Sequence, residues 1–291
     1  TVMKGRIIKN QNGYFSIYGE SGNLHLCRSR GRLKRVTDIL VGDVVEYELP
    51  SLSEAAITKV YPRHSLLHRP PVANVDLLVL TSAVKSPDIN RYTLDKMILL
   101  GEDAGIPILI CLNKSDLDPD RAEELRRDYE KAGYPVICTS VPDRAGLDLL
   151  FTAMEGHIIS FSGPSGVGKS SLLNALLGTD RLLSGSVSSR TGRGKNTTRH
   201  AELIPFGHDS FLMDTPGYTS LALDSVLPEN IGFLFREFQQ YMGQCRFRDC
   251  QHLNEPECAV RDAVSRGDIV PSRYQSYCQM LNEIKEKKPR Y

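Results

Sequence analysis

Near its middle the chain carries Gly163-Pro164-Ser165-Gly166-Val167-Gly168-Lys169-Ser170, followed by Ser171. The stretch fits G-x-x-x-x-G-K-[ST] at every fixed position. The apolar run Ile158–Ser162 precedes it, and a helical pattern over Ser170–Leu177 follows. That strand–loop–helix context is what a phosphate-binding loop requires. Glycines let the backbone wrap closely, so that loop N–H groups and the helix N-terminus point at phosphate oxygens. Lys169 is expected to neutralise charge on the β- and γ-phosphates and so to act in catalysis. Ser170 is expected to ligate Mg²⁺. Gly163, Ser165, Gly166, Val167, Gly168, Lys169, Ser170 and Ser171 are thus the expected phosphate contacts.

Upstream, Asn113-Lys114-Ser115-Asp116 follows the strand-like run Pro107–Leu112. A carboxylate at the base edge accepts from guanine N1–H and the 2-amino group. Adenine offers neither donor there, so Asp116 would be left charged and unpaired against it. Asn113 is expected at a second edge of the base and the Lys114 stem on its face. A backbone N–H at Thr139-Ser140-Val141 is expected to meet the guanine carbonyl. Downstream, Asp214-Thr215-Pro216-Gly217 ends another strand. Asp214 is expected to hold Mg²⁺ through water, and the Gly217 amide to meet the γ-phosphate. Between them, Ser184–His200 is rich in Ser, Gly, Thr and Arg, a composition that predicts disorder without ligand. Thr198, with Thr197 beside it, offers a second hydroxyl for Mg²⁺.

The apolar runs Val75–Ala83, Pro107–Leu112, Pro135–Ser140 and Ile158–Ser162 lack polar alternation and are separated by helical patterns. They predict a parallel sheet covered on both faces. Before them, five short alternating segments between Gly5 and Val60 predict a small barrel. Residues 1–70 carry 11 Lys/Arg against 6 Asp/Glu, and five of those cations lie within Arg28–Arg35. Such a basic loop suggests a polyanion contact. After Leu223 the strands stop. A helix is expected over Glu229–Gln240 and another over Arg273–Lys288. Between them Cys245-x4-Cys250-x-His252-x5-Cys258 supplies three thiolates and an imidazole, the donor set of a closed tetrahedral zinc site.

The order of these motifs is N-K-x-D, T-S, phosphate loop, Thr, D-x-P-G. Ordinary GTPases place the phosphate loop first, so this order is a circular permutation. On these motifs and the cysteine spacing, the chain resembles the RsgA/YjeQ family of permuted ribosome-assembly GTPases along its whole length. The resemblance implies a multidomain chain: an OB-fold barrel over 1–70, a permuted α/β GTPase domain over 71–223, and a mostly helical zinc domain over 224–291. It implies GTP hydrolysis coupled to late maturation of the small (30S) ribosomal subunit. It also implies one structural Zn²⁺ held by Cys245, Cys250, His252 and Cys258, Mg²⁺ with the nucleotide, and rRNA contacts through Arg28–Arg35 and Lys285–Arg290. The alternative is a GTP-gated RNA-binding module with negligible turnover. Tyr218 keeps it open, because Ras-like proteins place a water-orienting Gln there. His200 and His208 flank a switch strand as possible substitutes, and His200 is the better placed.

The chain has 291 residues, 41% hydrophobic and 24% charged, with a net charge of +1. Seven dispersed cysteines argue against a disulfide framework. No apolar run approaches the ~18 residues of a bilayer span, and no charged-then-apolar leader opens the chain. A cytoplasmic monomer without a membrane partner is expected.

Overall fold

A computed structural model describes residues 2–11, 13–29, 38–49, 55–68, 70–181, 201–207, 209–213 and 221–287. Most of the basic loop, including Arg30, Arg32, Lys34 and Arg35, lies outside them, as does the end of the basic tail from Lys288. The chain forms two compact units interleaved along the sequence. One comprises Thr1–Leu78, Phe151–Ser162 and Leu173–Thr219, the other Val79–Leu150, Gly163–Leu172 and Ser220–Tyr291.

In the first unit, β1 (Val2–Gln11), β2 (Tyr14–Gly19), β3 (Leu24–Ser29), β4 (Val44–Glu48) and β5 (Ala55–Val60) close into a barrel in the order β1-β2-β3-β5-β4. Strands β3 and β5 run parallel and the other pairs antiparallel, the closure of an OB-like barrel. The period-2 pattern turns Ile7, Phe15, Ile17, Cys27, Val45, Tyr47 and Ile57 inward, where all are buried. A short antiparallel pair, β6 (Leu66–His68) and β7 (Pro71–Ala73), follows. The prolines there read in the sequence only as a boundary.

The α/β region contains β8 (Leu77–Ala83), α1 (Arg91–Asp103), β9 (Ile108–Asn113), α2 (Pro119–Lys131), β10 (Val136–Thr139), α3 (Leu147–Met154), β11 (Ile158–Ser162), α4 (Lys169–Arg181), β12 (Leu203–Gly207) and β13 (Ser210–Met213). In the second unit the strand order is β10-β9-β8, and in the first it is β11-β13-β12. Strand β10 runs parallel to β9, and β11 to β13, while β12 returns antiparallel along β13. Every residue of β9 and β11 is buried, as strands covered on both faces must be. Helix starts follow capping chemistry. The Asn90 side chain accepts from Thr93 N at 3.0 Å, and Asp118 from Arg121 N at 3.1 Å with Pro119 in the first turn.

The C-terminal part is helical, with α5 (Arg236–Gln239), α6 (Ala259–Ser265) and α7 (Pro271–Lys287). The single helix expected over Glu229–Gln240 is broken. Ile231–Leu234 forms a 3₁₀ turn, Phe235 is extended (φ −102°, ψ 105°), and α5 keeps only four residues. The break lets Phe235 and Phe238 stack with ring centroids 5.1 Å apart, both against Tyr277. Burying one such ring contributes roughly 4 kcal/mol of area-based stabilisation. A continued helical bond adds only about 1 kcal/mol net.

Beside those rings Arg273 is 1% exposed. It donates to Asp95 Oδ1 and to Glu237 Oε1, each at 2.7 Å, and so ties α7 to α1 and α5. Burial pushes the Asp95 carboxyl up, and the Arg273 charge pulls it back down. Arg273→Met should leave two buried carboxylates without their cation. The expected loss is about 3–5 kcal/mol, read as a lower urea midpoint at neutral pH. An unchanged midpoint would remove the triad from the account of stability.

Candidate functional site

The phosphate loop and the N-K-x-D turn both lie in the second unit, and the folded chain brings them into contact. Gly163 follows β11, and Lys169 opens α4, whose first backbone bond runs from Leu172 N to Gly168 O at 2.9 Å. Two glycines are dictated by close approach. A Cβ at Gly163 would stand 2.1 Å from Thr81 O. One at Gly168, where φ is +90°, would stand 2.5 Å from Asn113 Nδ2. The Lys169 ammonium donates to Gly163 O and Pro164 O, each at 2.6 Å, and partial burial lowers its pKa. Ser165, Gly166, Ser170 and Ser171 are exposed, so the loop's outer surface and the Ser170 hydroxyl face solvent. Val167 is buried beneath them.

Asn113 ends β9 as a brace. Its Nδ2 donates to Val167 O at 2.9 Å, and its Oδ1 accepts from Thr139 Oγ1 at 3.0 Å. These bonds use one of the two Nδ2 hydrogens and one of the two Oδ1 lone pairs, so the amide keeps donor and acceptor capacity for an edge of the base. Lys114 adopts a left-handed conformation (φ 59°), and its ammonium donates to Gly166 O at 2.9 Å and to Ser86 O. The N-K pair thus holds the phosphate loop from below. Ser115 Oγ donates to Thr139 O at 3.1 Å and ties the turn to β10.

Asp116 differs from its neighbours. Its Oδ1 is buried and has no hydrogen-bond partner among the described residues. Such an orphan acceptor costs about 1–3 kcal/mol unless a ligand satisfies it. Guanine supplies two donors of the right kind, so the residues present fit a guanine nucleotide. Ser140 N, the amide expected at the guanine carbonyl, already donates to Ala145 O at 3.1 Å. Thr197, Thr198, His200, His208, Asp214, Gly217 and Tyr218 lie outside the described residues.

A second cluster in the same unit joins Cys245, Cys250, His252 and Cys258, whose donor atoms all lie within 4.8 Å of one another. Cys245 Sγ is 3.9 Å from Cys258 Sγ, and His252 Nδ1 is 3.5 and 3.4 Å from those two sulfurs. Tetrahedral zinc with ordinary bond lengths separates two sulfurs by about 3.8 Å and a sulfur from a nitrogen by about 3.6 Å. The cluster therefore fits such an ion. Without a cation, burial and neighbouring thiols push Cys250 up to about 12, so the thiolates need the metal's charge.

The segment looks polar in sequence, yet His252 is 3% exposed, edge-on to Phe238 at 6.2 Å. Tyr274 and Tyr277 donate to His252 O and Gln251 O, each at 2.7 Å. The Glu255 carboxylate accepts from Gln251, Leu253 and Asn254 N at 2.8–3.0 Å. Burial raises its pKa, but those backbone donors win and hold it below the usual range. Sequence reading missed Glu255, Tyr274 and Tyr277. Only Glu255 carried a local signal, as an acid inside the ligand loop.

No helix among the described residues is long and apolar enough to cross a membrane. The model of the RsgA GTPase family matches residues 60–224, and that of the RsgA N-terminal domain matches residues 4–57. A small ribosomal subunit biogenesis GTPase RsgA of Caldanaerobacter subterraneus subsp. tengcongensis is 41% identical over 290 residues, spanning 99% of this chain and 98% of that protein. The protein of the same name from Geobacillus sp. is 42% identical over 294 residues, spanning 99% of each. The crystal structure of YjeQ from Thermotoga maritima superposes with a TM-score of 0.86 at 34% identity, covering 99% of this chain and 100% of that one. That of YloQ, a circularly permuted GTPase, gives 0.84 at 33%, covering 100% of this chain and 98% of that one.

Proposed function

The chain belongs to the RsgA family of GTPases, and from that premise we propose that it hydrolyses GTP in the service of small-subunit maturation. The observation that carries the nucleotide reading is the buried Asp116 Oδ1, which has no partner among the described residues. In this reading Asp116 accepts from guanine, while Asn113 and Lys114 hold the phosphate loop in shape. The loop amides from Gly163 to Ser171 grip the phosphates, with Lys169 against the β- and γ-oxygens. Ser170 and Thr198 would hold Mg²⁺, which neutralises charge on those oxygens. Asp214 would hold Mg²⁺ through water, the Gly217 amide would answer to the γ-phosphate, and His200 would orient water. The Ser140 loop would meet the guanine carbonyl from an amide other than that of Ser140. Zinc is the metal assigned to Cys245, Cys250, His252 and Cys258.

The small-subunit assignment follows from the relatives' names. Residues 1–70 and 224–291 would flank the GTPase domain of 71–223 and grip rRNA through the basic loop and tail. GTP and GDP, the small subunit and its rRNA are then the partners. A cytoplasmic monomer suits that work.

Asp116→Asn tests the base site. The amide donates where the carboxylate accepted, so GTP should weaken and xanthosine triphosphate should gain, a change of preference of at least about a hundredfold. Competition binding measures it. A GTP preference equal to the parent's would take Asp116 out of the base site.

A further inference from the structure

In the first unit the barrel grips the β12–β13 hairpin at two points. Strand β12 is the last in the order β11-β13-β12, so among the described residues its outer edge lacks a ladder partner. What meets that edge is barrel strand β1, through an isolated antiparallel bridge between Lys9 and Glu202. The two side chains close the bridge as an ion pair at 3.2 Å, with only 25% and 16% of their surfaces exposed. Strand β13 is held through Phe211, which is 1% exposed. The Arg6 guanidinium lies over its ring at 5.4 Å, and Tyr18 meets it edge-on at 5.5 Å and 88°. On its other side β13 pairs with β11 at Ile158↔Phe211, and Ser210 Oγ accepts from Gly156 N at 2.8 Å. Of the two strands, β13 is thus flanked on both sides, and β12, paired with β13 along one edge, meets the barrel at the other.

The hairpin is a short connection between two segments that the proposed function assigns to Mg²⁺, the attacking water and the γ-phosphate. Glu202 lies four residues after Thr198, and Met213 is followed directly by Asp214. An edge strand that frays changes where its preceding residues stand. We propose that the barrel, through the Lys9–Glu202 pair on β12 and the Arg6 and Tyr18 contacts on Phe211, positions the hairpin and thereby sets the rate of GTP hydrolysis. Lys9 and Glu202 are positioning residues. They touch no nucleotide and act through the strand that leads from the switch threonine. The inference rests on the GTPase reading of the site. It adds that the barrel is coupled to turnover even without a bound RNA.

Charge reversal tests it on the full chain without ribosomes. Lys9→Glu and Glu202→Lys each place like charges at the bridge. Each should lower single-turnover GTP hydrolysis by about three- to thirtyfold, with GTP affinity within about threefold of the parent's because the base and phosphate contacts are untouched. Amide exchange over Leu203–Gly207 should speed up in both. The double reversal K9E/E202K restores an opposite pair and should bring turnover and protection back to within about twofold of the parent. Single reversals that hydrolyse GTP at the parent rate would overturn the inference. So would a folded double variant that stays as slow as the singles. A parent that neither binds nor hydrolyses GTP would contradict the functional reading itself, which these comparisons keep separate.

Discussion

Replacing Lys169 by alanine is expected to end GTP hydrolysis and leave a folded chain. The ammonium is half-buried at the mouth of the loop, and among the described residues it bonds to Gly163 O and Pro164 O. Its charge is what the reaction needs. Negative charge shifts between the β- and γ-oxygens as the bond breaks, and a fixed cation in a partly desolvated site favours that shift. Removing one such group costs on the order of a hundred- to a thousandfold or more in rate. Phosphate release in a single turnover measures this, and circular dichroism checks the fold. Turnover within twofold of the parent would remove the loop from the reaction.

The second large effect is expected at the cysteine cluster. Zinc should accompany the purified protein at one equivalent per chain, and Cys250→Ser should lose it. Structural zinc supplies about 10–16 kcal/mol of apparent folding energy in isolated finger peptides. Here that is an upper bound, since Phe238 and Tyr277 also pack on His252. The loss should be local. Amide exchange should accelerate over 245–258 and the start of α6, while the barrel strands keep the parent's protection. Elemental analysis that finds a full equivalent in the variant would take Cys250 out of the ligand set.

The parts of this molecule that are legible in its sequence are those fixed by local backbone chemistry. Gly163 and Gly168 must be glycine because Thr81 O and Asn113 Nδ2 come too close for a Cβ. Such constraints leave a fixed spacing of residue types. The permuted order is legible for the same reason, since each motif identifies its own strand end. The alternating barrel strands and the continuous runs of β9 and β11 follow from burial on one face or on two.

What sequence conceals is decided by partners far along the chain. Arg273 reads as one more charge on an amphipathic helix. Its partners Asp95 and Glu237 stand 178 and 36 residues away, so the buried triad has no local signature. His252 looks solvated among Asp249, Gln251 and Asn254, until Phe238 and Tyr277 close over it. The sequence places Asn113 at the base but does not show that its amide also braces the phosphate loop, because Val167 and Thr139 stand far along the chain. The broken helix at Phe235 was invisible because its cause is a ring stack completed by α7.

The most direct test of the account measures GTP hydrolysis by the full chain as purified small ribosomal subunits are titrated in. Slow turnover alone and a saturable rise in rate with added subunits are expected. The rise should weaken as salt increases if basic groups make the contact. A rate that stays flat across the titration, with subunits that bind the parent no better than they bind Asp116→Asn in the presence of GTP, would contradict it.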